Sequence, residues 1–171
     1  MAILKIARMG HPVLRKVAAP VGRDALASPE VQRLIDDMLD TVRDYDGVGL
    51  AAPQVHASLR IVVLDVGAGM EAWVDPVIEP LTEELAYTFE GCLSVPGLRG
   101  LVGRPRAIRV RASTREGEPF ERRLEGFPAI VAGHECDHLD GVLYVDKVVP
   151  RTLMFTEEYR RYAGELFGGE E

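Results

Sequence analysis

Five consecutive residues, His134-Glu135-Cys136-Asp137-His138, form a His-Glu-x-x-His pattern in a segment with the character of a helix. Histidines four positions apart lie on the same helix face, so both imidazoles can bind one divalent cation. The glutamate then lies beside the open coordination position, where its carboxylate can take a proton from water and return it to a leaving group. The pattern therefore indicates metal-assisted hydrolysis. The alternative is a pair of partly buried histidines on an amphipathic helix.

The residues around this motif favour a helix. Pro128 suits a first helical turn, and Gly141 stands where a helix would end. Ile130 shares the face of the two histidines, which predicts apolar surroundings for the metal. Cys136 points away from that face, so we expect it to be packed rather than reactive.

A hydrolytic site of this kind needs a third protein ligand, and the sequence offers two kinds of candidate. Glu157 and Glu158 lie about twenty residues downstream, roughly where some metalloproteases of this class have a ligand on a following helix. Cys92 lies upstream, in a segment whose glycines and proline predict an irregular path after the strand-like Leu85 to Phe89. A thiolate there can face the histidine helix, although a buried, unreactive cysteine is its ordinary interpretation. The residues alone leave both candidates open.

Three motifs together resemble the peptide deformylase family. They are Gly47-Val48-Gly49-Leu50-Ala51-Ala52-Pro53-Gln54, Glu90-Gly91-Cys92-Leu93-Ser94 and the His134–His138 motif, in the family's order and at its approximate spacing. The likeness extends to residues 10–15 and 139–143, so it leaves out only about the last twenty residues. Three motifs in this order are highly specific. The resemblance implies removal of the formyl group from N-formylmethionyl peptides, with a metalloprotease as the alternative function.

The resemblance also settles the ligand set in favour of Cys92, with His134 and His138, and makes Glu135 the general acid and base. Two imidazoles and one thiolate suit iron, zinc, nickel or cobalt, and the affinity order alone does not choose among them. The family likeness implies one Fe(II) per chain, with the other three ions as substitutes. Asp137 is expected to support the metal ligands without binding the metal itself, and an ion pair with Arg104 or Arg99 would hold it in place.

The resemblance assigns the oxyanion contacts and the substrate pocket as well. The Gln54 side chain and the backbone N–H of Leu93 would donate to the developing oxyanion, and Gly49 would offer backbone contacts. Gly133 departs from the family pattern, which commonly has glutamine there. An apolar pocket for the methionine side chain is expected, although each candidate could equally be plain core: Val48, Phe127, Ile130 and Val131.

Composition agrees with a cytoplasmic enzyme that binds neither nucleic acid nor membrane directly. The chain has 171 residues, 47% of them hydrophobic, and a net charge of -7, which disfavours a nucleic-acid-binding surface. Two cysteines do not make a disulfide framework, and no apolar run reaches transmembrane length. We expect one catalytic domain over residues 1–171. Its partners would be nascent chains at the ribosome, although the acidic end of the tail argues against a basic docking helix.

The predicted elements indicate an α+β fold, with small antiparallel or mixed sheets around a central metal-binding helix. Ser28 and Pro29 begin a first helix with one apolar face. Strands follow in the middle of the chain, and a short helix through Tyr162 is expected near its end. The predicted strands are 60–66, 72–79, 85–89, 106–112 and 120–125, with the turn of the last pair at 115–117.

Overall fold

The computed structural model describes residues 2–167. Its strands and helices alternate irregularly, and short 3-10 turns join them at Pro12–Arg15, Ala52–Val55 and Tyr144–Asp146. The elements in chain order are α1 (Arg23–Leu26), α2 (Pro29–Asp44), β1 (Gly49–Ala51), β2 (Ile61–Asp65), β3 (Met70–Pro80), β4 (Leu85–Cys92), β5 (Val95–Pro105), β6 (Ala107–Ser113), β7 (Pro119–Glu125), α3 (Phe127–Leu139), β8 (Met154–Phe155) and α4 (Thr156–Phe167).

The strands form two antiparallel sheets. One has five strands in the order β1-β2-β3-β6-β7, and the other has three in the order β4-β5-β8. The predicted α+β class and the antiparallel sheets are therefore confirmed, as is the turn of the β6–β7 hairpin, where Gly117 has a φ of 88°.

The first long helix is α2, and it begins where the sequence predicts. The Ser28 hydroxyl accepts a hydrogen bond from the Val31 N–H at 3.3 Å, and Pro29 occupies the first turn. Val31, Ile35 and other apolar residues of one face are buried against β2 and β1. This helix covers one side of the five-stranded sheet.

The helix α3 carries the His-Glu-x-x-His motif and contacts strands of both sheets. Its first turn contains Pro128, and the chain leaves it through Gly141, where φ is 73°. A Cβ on Gly141 would lie 2.8 Å from the carbonyl carbon of Arg15, so only glycine fits this exit. Most of the helix is buried, which is why its apolar residues do not form a single stripe.

The three-stranded sheet corrects the sequence prediction. Strand β4 continues to Cys92 rather than ending at Phe89, and β5 was not predicted at all. Cys92 pairs with Val95 while Glu90 pairs with Gly100, so residues 96–99 bulge out opposite Gly91. The expected irregular path is thus a bulged hairpin that fixes Cys92 at its tip. The short strands β1 and β8 were also missed.

The C-terminal helix is longer than predicted. It extends from Thr156 to Phe167, past the expected end at Tyr162, and packs on β5 and β8. The last four residues of the predicted tail lie outside the described part of the chain. Within residues 2–167, no helix is both long and apolar enough to cross a membrane.

Candidate metal centre

Three elements that are distant in sequence meet at one site. Helix α3 supplies His134, Glu135 and His138 from consecutive turns, and the tip of the β4–β5 hairpin supplies Cys92. Gln54 enters from the 3-10 turn that directly follows β1. The pairing of β1 with β2, and the packing of α3 on both strands, holds these parts together.

The sulfur of Cys92 lies 3.3 Å from the Nε2 atom of His138. The candidate donor atoms of Cys92, His134 and His138 all lie within 4.8 Å of one another, a spacing that suits coordination of one ion. Among the residues that the structure describes, this is the one such cluster, and neither Glu157 nor Glu158 belongs to it. Both cysteines of the chain are free, and Cys136 is buried away from the cluster.

The ring of His134 is held by a buried carboxylate. Its Nδ1 atom lies 2.8 Å from Glu90 Oε2, so an Nδ1 proton donated to Glu90 leaves Nε2 free as a metal ligand. Burial opposes ionisation of Glu90, but hydrogen bonds from Arg104 and His134 lower its pKa to about 2. Reasoning from the sequence assigned no role to Glu90, although a carboxylate two residues before a thiolate ligand was the available signal.

The electrostatics of the cluster favours a cation. Burial lowers the pKa of His134, but hydrogen bonds to Cys92 and Glu90 outweigh it and raise that pKa to about 10. The anionic neighbours that favour a proton at His134 favour a divalent cation at the same place. Burial lowers the pKa of His138 well below its usual value, so this ring stays neutral and keeps its lone pair. The donor set therefore fits a transition-metal ion.

Glu135 is buried beside the cluster with only 4% of its surface exposed. Burial raises its pKa to about 7, near the value that suits a group which both accepts and returns a proton. Its Oε2 atom has no hydrogen-bond partner among residues 2–167, so one oxygen is available for water or substrate. Gly49 makes room for it, because a Cβ there would lie 2.5 Å from Glu135 Oε1.

The amide of Gln54 is fixed from both ends. The Ala51 N–H donates to its Oε1 atom at 2.8 Å, which turns the NH₂ group towards the cluster. That NH₂ group lies 3.4 Å from Cys92 Sγ and 3.2 Å from Ser94 Oγ. Gln54 is only 2% exposed, so it is a buried polar residue and not a solvated residue of the turn. Ser94 had no predicted role, and its hydroxyl accepts the hydrogen bond that helps to orient the Gln54 amide.

A cavity of about 1160 Å³ opens in front of the cluster. Glu135, Gln54 and Leu93 line it, together with all four residues proposed for the methionine pocket. Val131 is also part of the buried core, whereas Val48 and Phe127 are about half exposed. The cavity thus brings together every predicted site residue except His138, which belongs to the cluster but does not line the cavity.

The comparisons with known proteins agree with this geometry. The sequence model of the polypeptide deformylase family matches residues 3–153. The chain belongs to this family. It is 45% identical to the peptide deformylase of Pseudomonas aeruginosa over 149 residues, which cover 85% of this chain and 87% of the relative. It is 47% identical to peptide deformylase 1 of Bordetella pertussis over 153 residues, which cover 84% and 86%.

Solved structures of the family are similar over nearly their whole length. The peptide deformylase of Thermotoga maritima aligns with a TM-score of 0.83 at 41% identity, covering 88% of this chain and all of that one. A class I type b peptide deformylase of Acinetobacter baumannii with bound Met-Ala-Ser aligns with a TM-score of 0.82 at 36% identity, covering 86% and 99%. The predicted family and its enzyme class, a metallohydrolase that removes N-formyl groups, are confirmed over the metalloprotease alternative.

In this deformylase-family chain, a buried ion-pair network contacts the cluster through Glu90, which holds His134. Arg104 binds both oxygens of Glu90 and lies 2.9 Å from Asp137 Oδ2, while Lys147 lies 2.6 Å from the other oxygen of Asp137. The structure therefore selects Arg104 rather than Arg99 as the partner of Asp137. Gly133 fits beside it, because a Cβ there would lie only 3.1 Å from the Arg104 guanidinium.

Replacing Arg104 with methionine is expected to destabilise the fold by about 3–5 kcal/mol, because it leaves the Glu90 carboxylate buried without its main partner. Urea unfolding of both proteins measures this change. Arg106→Gln is the control, since Arg106 and its partner Glu84 are each 61% exposed and such a pair contributes at most about 1 kcal/mol. An equal decrease in the free energy of unfolding in the two variants would contradict the stabilising role of the buried network.

Proposed function

We propose that residues 1–171 form one catalytic domain that removes the formyl group from the N-terminal formylmethionine of newly made peptides and releases formate. The observation that carries this proposal is the cluster of Cys92, His134 and His138 at a cavity that Glu135 and Gln54 also line. The Met-Ala-Ser peptide bound to the Acinetobacter baumannii relative has the form of such a product. Formate release from formyl-Met-Ala-Ser tests the proposal.

Cys92, His134 and His138 would hold one divalent metal ion. Such an ion, when bound, acidifies water and polarises a carbonyl oxygen. The Glu90 carboxylate holds the His134 ring in the orientation that presents Nε2, and Arg104 keeps that carboxylate ionised. We propose Fe(II) as the ion in the cell, with zinc, nickel or cobalt as substitutes.

Glu135 moves the proton. Its buried carboxylate accepts a proton from the attacking water and delivers it to the amine nitrogen as the formyl C–N bond breaks. The raised pKa of this group suits both transfers, and the unpartnered Oε2 atom gives it a free acceptor. Formate and a free amino terminus are the products.

Gln54 and Leu93 stabilise the negative charge that develops on the formyl oxygen. The NH₂ group of Gln54 is already turned towards the cluster by its bonds to Ala51 and Ser94, so little reorganisation is needed in the transition state. The backbone N–H of Leu93 is the second donor, next to the ligand Cys92.

The apolar end of the cavity would bind the methionine side chain. Val48, Phe127, Ile130 and Val131 line the same cavity as the reacting groups, and Leu93 adds a further apolar surface. A formyl carbon carries only hydrogen, so a tight site excludes bulkier acyl groups. Exposure of Val48 and Phe127 leaves apolar surface that a bound methionine would cover.

Replacing Cys92 with serine is expected to weaken metal binding by at least about 10–100-fold, the effect of removing even an outer partner of a ligand. Metal content after dialysis against a weak chelator measures it. Cys136→Ala is the matched control, because Cys136 is a free cysteine outside the cluster. Full metal content in Cys92→Ser, together with loss of metal from Glu157→Gln, would show that the third ligand lies on α4.

We further propose that the enzyme acts in the cytoplasm on nascent chains at the ribosome. The end of the chain is acidic, so docking through residues 152–171 should be weak and insensitive to salt. Sedimentation with ribosomes at two salt concentrations tests this point. Binding that depends strongly on salt and disappears when residues 152–171 are deleted would contradict it.

A further inference from the structure

Three cations, Lys5, Arg8 and Arg99, line the active-site cavity. Within residues 2–167, none of them lies within ion-pair distance of a carboxylate, and Arg99 instead lies over the Tyr159 ring, 5.4 Å from its centroid, a contact that leaves its charge uncancelled. Cations elsewhere on the chain commonly have such partners, as Arg15 has Asp146 and Arg60 has Asp140. Free positive charge at this cavity stands out in a chain whose net charge is -7.

Arg8 is fixed close to the reacting groups by the backbone on both sides of it. The Ala7 N–H donates to the carbonyl of Gln54 at 2.7 Å, and the Met9 N–H donates to the carbonyl of Ser94 at 2.7 Å. Gln54 and Ser94 are themselves joined beside Cys92. The segment that contains Lys5 and Arg8 is therefore a wall of the cavity rather than a loose terminus.

The carboxylates of the cavity do not cancel this charge. Glu90 is already paired with Arg104 and His134, and Glu135 is buried at the site of proton transfer. Asp46, exposed at the end of the loop after α2, is the remaining acidic group that lines the cavity. Apart from the reacting groups, the lining of the cavity thus has an excess of positive charge.

The cavity, at about 1160 Å³, exceeds the roughly 300–1,000 Å³ typical of a site for one small ligand, so it has room beyond a formylmethionine. A peptide with its first residue at the metal centre continues outward at about 3.3 Å per residue. Its second and third residues would then lie in the same cavity as these cations. We propose that these cavity-lining cations select formylated peptides with an acidic side chain at the second or third residue, an inference that rests on the proposed function.

The test uses the full-length, metal-loaded protein and two peptide series, formyl-Met-Xaa-Ala-Ser and formyl-Met-Ala-Xaa-Ser, with Glu, Gln or Lys at Xaa. At low ionic strength, kcat/KM for the Glu peptide should exceed that for the Lys peptide by about three- to tenfold in at least one series, mainly through KM. The preference should shrink in 0.5 M salt, a concentration (about 4 Å Debye length) that screens exposed charges.

Two double variants with the same change in net charge separate the local effect from a general one. Lys5→Gln/Arg8→Gln should bring the Glu-to-Lys ratio close to one, whereas Arg23→Gln/Arg33→Gln, exposed cations outside the cavity, should leave the ratio unchanged. A Glu-to-Lys ratio near one for the wild type in both series, or the same ratio in both double variants, would overturn the inference. Failure to release formate from the Gln peptides would instead contradict the proposed function.

Discussion

Glu135→Gln is expected to lower kcat for formate release by about 10²–10⁴-fold, the range attributed to a positioned general acid and base. Glutamine has nearly the same shape but accepts no proton at its amide nitrogen and carries no charge. The metal content should stay the same, because Glu135 is not among the three clustered donors. Assays of formate release measure kcat, and metal analysis of the same sample measures the metal content.

Glu157→Gln is the matched control for this result. Glu157 is an exposed acid on α4 and lies outside the cavity, so its replacement should change neither rate nor metal content. Activity of Glu135→Gln within about threefold of the wild type would mean that another group moves the proton. Loss of metal from Glu135→Gln would show that its carboxylate is a ligand rather than a base.

Gly49→Ala is expected to lower kcat by about 10²-fold, because displacements of roughly 1 Å in a catalytic group can cost this much. A Cβ at Gly49 would lie 2.5 Å from Oε1 and 2.8 Å from Cδ of Glu135, so the carboxylate must move. The end of a flexible side chain can shift at small cost to the fold. The loss should therefore be in catalysis rather than in stability.

Thermal unfolding and metal content check that Gly49→Ala leaves the fold and the cluster intact. Gly164→Ala, on α4, is the control, since a Cβ there meets no atom within 4 Å and alanine favours a helix. Wild-type kcat in Gly49→Ala would contradict the account of Glu135. A fall in melting temperature as large as that of Arg104→Met would show that Gly49 has a structural role instead.

Local patterns in the sequence predicted the parts of the fold that local physics determines. The Ser28 cap and the spacing of apolar residues in α2 are properties of a single helix, and so is the pairing of His134 with His138 on one face of α3. Gly141 follows that helix with a positive φ, a conformation that favours glycine. These features need no knowledge of the rest of the chain.

The other parts of the fold and of the site depend on contacts between segments that are distant in sequence. Reasoning from the residues alone left Cys92 and the acids of α4 equally open, and only the family resemblance chose Cys92. Strand β5 itself contains two prolines and three glycines, and its pairing with β4 compensates for their low strand propensity. The contact between Glu90 and His134 joins residues 44 positions apart, and no local pattern indicates it.

The central claim is that a metal ion held by Cys92, His134 and His138 supports deformylation with Glu135 as the base. The most direct measurement is formate release from formyl-Met-Ala-Ser by anaerobically purified protein, before and after removal of the metal by a chelator and its replacement by Fe(II). We predict formate and free amine in equal amounts with about one metal per chain, none after chelation, and recovery with Fe(II). Protein that holds one metal per chain in this cluster and releases no formate would contradict the claim.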